Sequence, residues 1–255
     1  MGSNPASPTI TLPAVCGRFV GSYSVLDIVD EIAQAADGAG LGLRMPPEAT
    51  MLLDNHNVAP TSAVPVLVAA DGQVHVEVMQ WGLVPSWSND ARAGAKMINA
   101  RAETVTEKVS FRSLVRGNRC IIAMNGFYEW QREGSRPKVP HYVTRTDGAL
   151  LLAAGLWSTS PVLDIGASFA MMTRESGDDL ASIHHRSPVH FTAEMAIDWL
   201  RGSLDVACAL DAPSQPALRH HEVSTDVNNV RNNRPDLVHP AVNEGPSDEG
   251  QPTLF

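Results

Sequence analysis

The feature that most constrains this chain is its punctuation: apolar runs of five to seven residues, separated by Asp-Gly pairs and other turn residues. Runs that short are too brief for stable helices and suit strands. Val64 to Ala69 and Val74 to Gln80 flank Asp71-Gly72, and His141 to Thr146 and Ala149 to Gly155 flank Asp147-Gly148. Both read as hairpins. Cys120 to Met124, Ser168 to Thr173 and Glu222 to Ser224 supply further strands. Gly38 to Pro47 reads as loop, and residues 91–118 as an irregular segment with a short helix. A helical face recurs at Val25, Leu26, Ile28, Val29, Ile32 and Ala33, within Ser24 to Ala36. A second helix runs from a Thr192 cap through Trp199 to Gly202, with Glu194 near its positive end. The fold class is therefore α+β, a mainly antiparallel, barrel-like sheet core with a few flanking helices. The 255 residues fit one domain, and no internal repeat divides them.

The ends differ in composition from the middle. Residues 1–15 are rich in Ser, Pro and Thr and read as a disordered leader. Residues 16–234 form the domain, and 235–255, dominated by Pro, Asn, Gly and acidic residues, read as a disordered tail. No stretch approaches the ~20 apolar residues of a membrane span. The first residues lack a signal peptide's pattern, and Ala6 stands where a myristoylation signal needs Ser or Thr. The expectation is a cytoplasmic, monomeric protein. Three cysteines without a CxxC pair argue against a disulfide framework or structural zinc, so no metal or cofactor is expected.

Charge is uneven. Residues 81–140 hold 10 of the 19 basic residues and 5 of the 28 acidic ones, a local +5 in a chain of net charge −9. A local field of that sign suits a polyanion even on an acidic protein.

Four short segments could carry chemistry. Cys16 lies beside Gly17 and Arg18, and a nearby cation lowers a thiol's pKa. Alone, a single cysteine is more usually a small buried hydrophobe. Asn99 and Arg101 at i, i+2 share one side of an extended segment, an amide and a guanidinium suited to a phosphate. An Arg101–Glu103 ion pair on a surface strand is the plainer alternative. Glu129 sits among Phe127, Tyr128 and Trp130, where desolvation would raise a carboxyl's pKa into the acid–base range, although alone the segment better suits a Glu pointing to solvent from an aromatic strand. His184-His185 in a loop can move protons.

The order CGRF from Cys16, NVAP from Asn57, WGLVPSW over Trp81 to Trp87, INARAET from Ile98, FYEW from Phe127, AGLW from Ala154 and IHHRSP from Ile183 resembles the SOS-response-associated peptidase family of abasic-site processing proteins. The Asn-rich stretch Val227 to Asn232 looks like the family's closing motif, so the resemblance runs from Cys16 to Asn232.

The resemblance implies covalent capture of abasic sites in single-stranded DNA during the DNA damage response, through a thiazolidine formed by an N-terminal cysteine, here Cys16. By the same resemblance Glu129 moves protons during Schiff-base formation, His184 acts on the sugar oxygen, and Asn99 positions the Cys16 amine. Arg18, Arg101 and Asn57 would contact DNA, and Trp81 and Trp87 would either stack on bases or pack in the core. Two departures stand out. His185 occupies the position of the family's usual Asp, and 15 residues precede the cysteine. Cys16 becomes the first residue either by self-cleavage of Val15–Cys16, with Glu129 and His184 assisting, or because Val15 is a GTG start codon read as the initiator. The second is preferred. Two other functions stay open: a cysteine-nucleophile peptidase or amidase acting on non-DNA substrates, and a non-covalent single-stranded DNA-binding module.

Overall fold

The computed structural model describes residues 16–47, 50–131, 137–211 and 215–241. In chain order its strands and α-helices are β1 (Arg18–Ser24), α1 (Val25–Gly38), β2 (Gly42–Arg44), β3 (Met51–Val58), β4 (Ala63–Ala70), β5 (Gln73–Trp81), β6 (Asn99–Arg101), β7 (Arg119–Met124), β8 (Gly126–Gln131), β9 (Val139–Arg145), β10 (Leu151–Thr159), β11 (Ala167–Glu175), β12 (Arg186–Pro188), β13 (His190–Phe191), α2 (Ala193–Arg201), α3 (Val206–Asp211) and β14 (Leu218–Glu222). The leader, residues 1–15, and residues 242–255 of the tail lie outside the described residues.

Strands dominate, as the turn punctuation implies, and most pair antiparallel. One sheet runs β14-β9-β8-β1-β3. In the other, β11, β10, β7, β4 and β5 follow one another, and a parallel β5–β11 pairing returns the ladder to its start. Five strands thus close into a ring, which leaves them few free edges. Alternation then sorts their side chains. Val64, Val66, Met79, Trp81, Ile122, Phe169 and Met171 fill one cluster together with Phe19, Phe127 and Val143 of the first sheet. Leu67, Ile121, Ala123, Leu152, Ala154 and Ala170 point to the opposite face, where Ile28 and Ile32 of α1 and Ile197 and Trp199 of α2 cover them.

The two longer helices carry N-terminal caps. Ser24 accepts from Asp27 N and the Asp27 carboxylate returns to Ser24 N, a capping box that contributes about 1 kcal/mol. Thr192 caps α2, which stops at Gly202 with φ 83°.

Four expectations need correction. Gly38 to Pro47 is not all loop, since α1 reaches Gly38 and Gly42–Arg44 pairs with β5 as β2. The Asp147-Gly148 turn does not close a hairpin: β9 pairs with β8 and β14, whereas β10 pairs with β7, β11 and β13. Arg145 bonds Asp147, Glu31 and the Leu150 carbonyl, which fixes the turn as a crossing between sheets. The last strand is Leu218–Glu222 rather than Glu222 to Ser224, because Arg219, His220 and His221 hide its pattern. The start of the tail is folded: Pro235–Val238 form a 3-10 turn, Leu237 is buried, and Pro240 bridges to Val223.

Candidate active site

Cys16 immediately precedes β1, which pairs with β8 through Arg18↔Tyr128 and Phe19↔Phe127. Continuing that ladder backwards sets Gly17 level with Glu129 and Cys16 level with Trp130, one residue beyond. The Cys16 backbone nitrogen donates to Glu129 Oε2 at 2.8 Å, and Glu129 Oε1 accepts from Trp130 N at 3.2 Å. Both residues are buried, Glu129 to 3% exposure. Burial pushes the Glu129 carboxyl up to about 7, against the Cys16 and Trp130 N–H bonds and the nearby Lys138 charge, which hold it down.

The Cys16 thiol lies 3.8 Å from Met171 Sδ, inside the core. Burial, with the Glu129 charge added, raises its pKa well above the ordinary thiol value. The expectation that Arg18 would lower it fails. The Arg18 guanidinium turns away to Asn57 Oδ1 and the carbonyls of Val227 and Asn228.

Met171 also locates Asn99. β6 runs parallel to β11 with Asn99 in register with Met171, so the two side chains share the face that the thiol touches. Ala100 is buried between Asn99 and the exposed Arg101, as i, i+2 spacing in a strand requires.

His184 ends a turn whose Leu180 packs in the same cluster as Cys16. The turn meets β8 directly, since Gln131 Nε2 donates to Ser182 O at 3.0 Å. His184 Nδ1 lies against the Arg186 backbone, 3.1 Å from its nitrogen and 3.3 Å from its carbonyl oxygen. His185, in place of the family's acid, stacks on His184 with centroids 4.4 Å apart. Arg186 makes a two-pronged pair with Glu103 at 2.9 Å, so Glu103 takes Arg186 rather than Arg101 as its ion-pair partner.

Beside Cys16 opens a pocket of about 700 Å³, lined by Gly17, Arg18, Ile98, Trp130, Lys138 and Asn228 among others. Its walls carry two cations, and Cys16 and Glu129 lie behind Gly17.

The motif order and this site meet in one comparison: residues 15–230 match the family model described as SOS response associated peptidase (SRAP). The chain belongs to this family. It is 32% identical to abasic site processing protein YoaM of Bacillus subtilis over 231 residues, covering 88% of this chain and 97% of that protein. To abasic site processing protein YedK of Escherichia coli it is 29% identical over 233 residues, covering 89% and 100%. A crystal structure of a Bacteroides thetaiotaomicron protein superposes with a TM-score of 0.71 at 24% identity, over 89% of this chain and all of that one, and shares the fold.

Within this SRAP chain, two expected DNA contacts are corrected. Trp81 has no exposed surface: its ring packs on Phe19 at 5.2 Å and its Nε1 donates to Ile98 O, so it cannot stack on a base. Asn57 is buried and its amide is spent on protein, donating to the carbonyls of Val227, Asn229 and Asn232 while accepting from Arg18. Trp87, by contrast, is 67% exposed. The basic stretch is also divided, because Arg119 is buried over the Trp199 ring with its guanidinium on backbone carbonyls.

Sequence reasoning missed three residues at the pocket. Trp130 donates to Asn228 Oδ1 at 2.7 Å and lies under Arg18, 5.8 Å from its guanidinium. Lys138 forms part of the wall and acts on Glu129. Asn228 was legible only as part of an Asn-rich run. Among the described residues no three His, Cys, Asp or Glu side chains gather as a metal site, and no helix is long and apolar enough to cross a membrane.

Proposed function

We propose that this protein captures abasic sites in single-stranded DNA by a covalent bond to Cys16, as part of the DNA damage response. The observation that carries the reading is the 2.8 Å contact from the Cys16 nitrogen to Glu129, next to a pocket walled by Arg18 and Lys138. Relatives named abasic site processing proteins, aligned over nearly the whole chain, support it.

The chemistry requires Cys16 as the first residue. Cys16 holds a φ of 42°, a left-handed conformation that costs a non-glycine residue about 1–2 kcal/mol, and that strain ends when no peptide bond precedes it. A free α-amine has a pKa of about 7.7–8.0, close to the value of about 7 at Glu129. The pair can therefore exchange one proton, and the neutral-amine, carboxylic-acid form remains accessible near pH 7. The amine adds to the sugar aldehyde to give a carbinolamine. Glu129 protonates its hydroxyl, water leaves, and an iminium faces the Glu129 carboxylate. The thiol sulfur then bonds to the iminium carbon and its proton returns to Glu129. One C–N and one C–S bond form, one water is lost, and the acid is restored.

In this reading His184 hands a proton to the ring oxygen as the closed sugar opens, and Asn99 orients the amine. Arg18, Arg101 and Lys138 hold phosphates, and Trp87 stacks on a base. A peptidase step acting on the chain itself fits the same Cys16–Glu129 pair, since scission before Cys16 relieves its backbone strain.

An abasic oligonucleotide tests the proposal. Protein matured to Cys16 should form an adduct that survives denaturing electrophoresis, and a strand with an intact base should form none. An adduct that forms equally well with Cys16→Ser contradicts it.

A further inference from the structure

Glu129 is deeply buried, and a DNA strand seated in the pocket would close its open side. The first sheet offers a second way out. In β8–β9 Glu129 stands opposite His141, and in β9–β14 His141 stands opposite Glu222, with His220 opposite Val143. Cross-strand partners share a face, so Glu129, His141 and His220 line one side of the sheet, the side on which Phe127 and Val143 enter the Cys16 cluster.

The two imidazoles are unusually provided for. His141 Nε2 meets Gln131 Oε1 at 3.2 Å, which makes Nε2 the protonated nitrogen and leaves a lone pair on Nδ1. That Nδ1 is buried without a hydrogen-bond partner, and so is Nδ1 of His220. The rings meet edge to face with centroids 5.2 Å apart. A buried ring nitrogen without a partner is costly, and two in one place beside a buried acid call for a reason.

We propose that His141, with His220 behind it, is the proton relay of Glu129, connecting the buried carboxyl to solvent through the sheet when DNA fills the pocket. The inference rests on the covalent-capture reading above. Cross-strand Cβ atoms lie about 4.5–5.5 Å apart, so the carboxyl reaches His141 by a side-chain rotation or through one water. The proton leaves the Glu129 oxygen for His141 Nδ1, passes to His220 Nδ1 and is released from the half-buried His220. Only O–H and N–H bonds are made and broken, and the reverse sequence recharges the acid.

The need arises from the substrate. A phosphodiester raises the proton affinity of both the Cys16 amine and Glu129, which drives the pair towards an unreactive ammonium and carboxylic acid. The pair must shed one proton with the pocket occupied. Other ionisable groups around the path are His221 on the far face of β14, Glu222, Lys138 just before β9, Asp179, which accepts from Leu218 N, and His184 beyond Ser182. Burial and the two neighbouring histidines lower the His141 pKa, which suits a group that passes a proton on rather than holding it.

The test is the single-turnover rate of adduct formation at saturating abasic single-stranded DNA, measured against pH for wild-type, His141→Phe and His220→Gln proteins matured to Cys16. Both variants should bind the DNA as the wild type does. His141→Phe should slow the adduct about tenfold, less than the ~10² or more of a direct proton-transfer group. In His141→Ala, where the missing side chain leaves room for the ring, added imidazole should restore the rate. His220→Gln should show the same loss in weaker form. Wild-type rates and pH profiles in both variants would overturn the relay, as would a loss in His141→Ala that imidazole leaves unchanged. If His141→Phe does not fold, His141→Gln takes its place under the same criteria. Failure of the wild type to form an adduct would instead overturn the underlying reading, so the two failures are distinguishable.

Discussion

The nitrogen of Cys16 donates to Glu129 Oε2 at 2.8 Å across 113 positions of sequence. One hydrogen bond thus joins the candidate nucleophile to the acid with the matching pKa, and the expected pH behaviour follows from it.

Neutral amine and protonated carboxyl must coexist, so the rate of adduct formation should rise and fall with pH around a maximum between about 7 and 8. Coupling lowers the first proton affinity and raises the second, which spreads the limbs but leaves the centre in place. Glu129→Gln, with no acid to lose, should be at least ~10²-fold slower and lack the alkaline fall. Stopped-time gels across pH 5 to 10 check both outcomes.

Lys138 should shift that profile. Its charge favours the Glu129 carboxylate, so Lys138→Met should move the carboxyl's titration upward and Lys138→Arg should leave it in place. If the lysine also holds a phosphate, Lys138→Met should reduce the slope of log K against log salt by about one unit. Fluorescence-anisotropy titrations at several salt concentrations read the second effect.

The two tryptophans of the WGLVPSW segment should separate. Trp81→Ala removes a fully buried ring and should cost about 3–5 kcal/mol in urea unfolding. Trp87→Ala should stay within about 0.5 kcal/mol in stability yet weaken single-strand binding by about 1–3 kcal/mol.

Asn57 should behave as a structural clamp. Its amide holds three carbonyls of the 227–232 segment and the Arg18 side chain. Asn57→Ala should cost roughly 2–3 kcal/mol in unfolding free energy and weaken DNA binding only through the displaced Arg18. In Arg18→Ala protein, the second substitution should then add little further loss of affinity.

Much of this was legible in the chain. The Asp71-Gly72 hairpin, the Thr192 cap and Cys120 to Met124 follow from local pattern and stand almost to the residue. Glu129 was legible only through the family resemblance, because a Glu between aromatic residues on a strand more readily points to solvent. What local pattern cannot carry is sidedness across distant strands. Trp81 and Trp87 look alike in sequence, and only closure of the ring by β5 on β11 puts one inside. Arg18 looked like a cation for the adjacent thiol, but the segment 209 positions away claims it. The Asp147-Gly148 pair promised a hairpin, yet the partners of its two strands were already fixed elsewhere.

Intact mass spectrometry most directly tests the central claim, that Cys16 joins the abasic sugar through both its amine and its thiol. Protein matured to Cys16, incubated with a single-stranded oligonucleotide carrying one abasic site, should gain the mass of the strand less one water. Fragmentation should locate the link at Cys16. The same protein with residues still attached before Cys16 should gain no stable mass. A stable adduct on a chain whose leader is demonstrably intact, or a link located at a residue other than Cys16, would contradict the account.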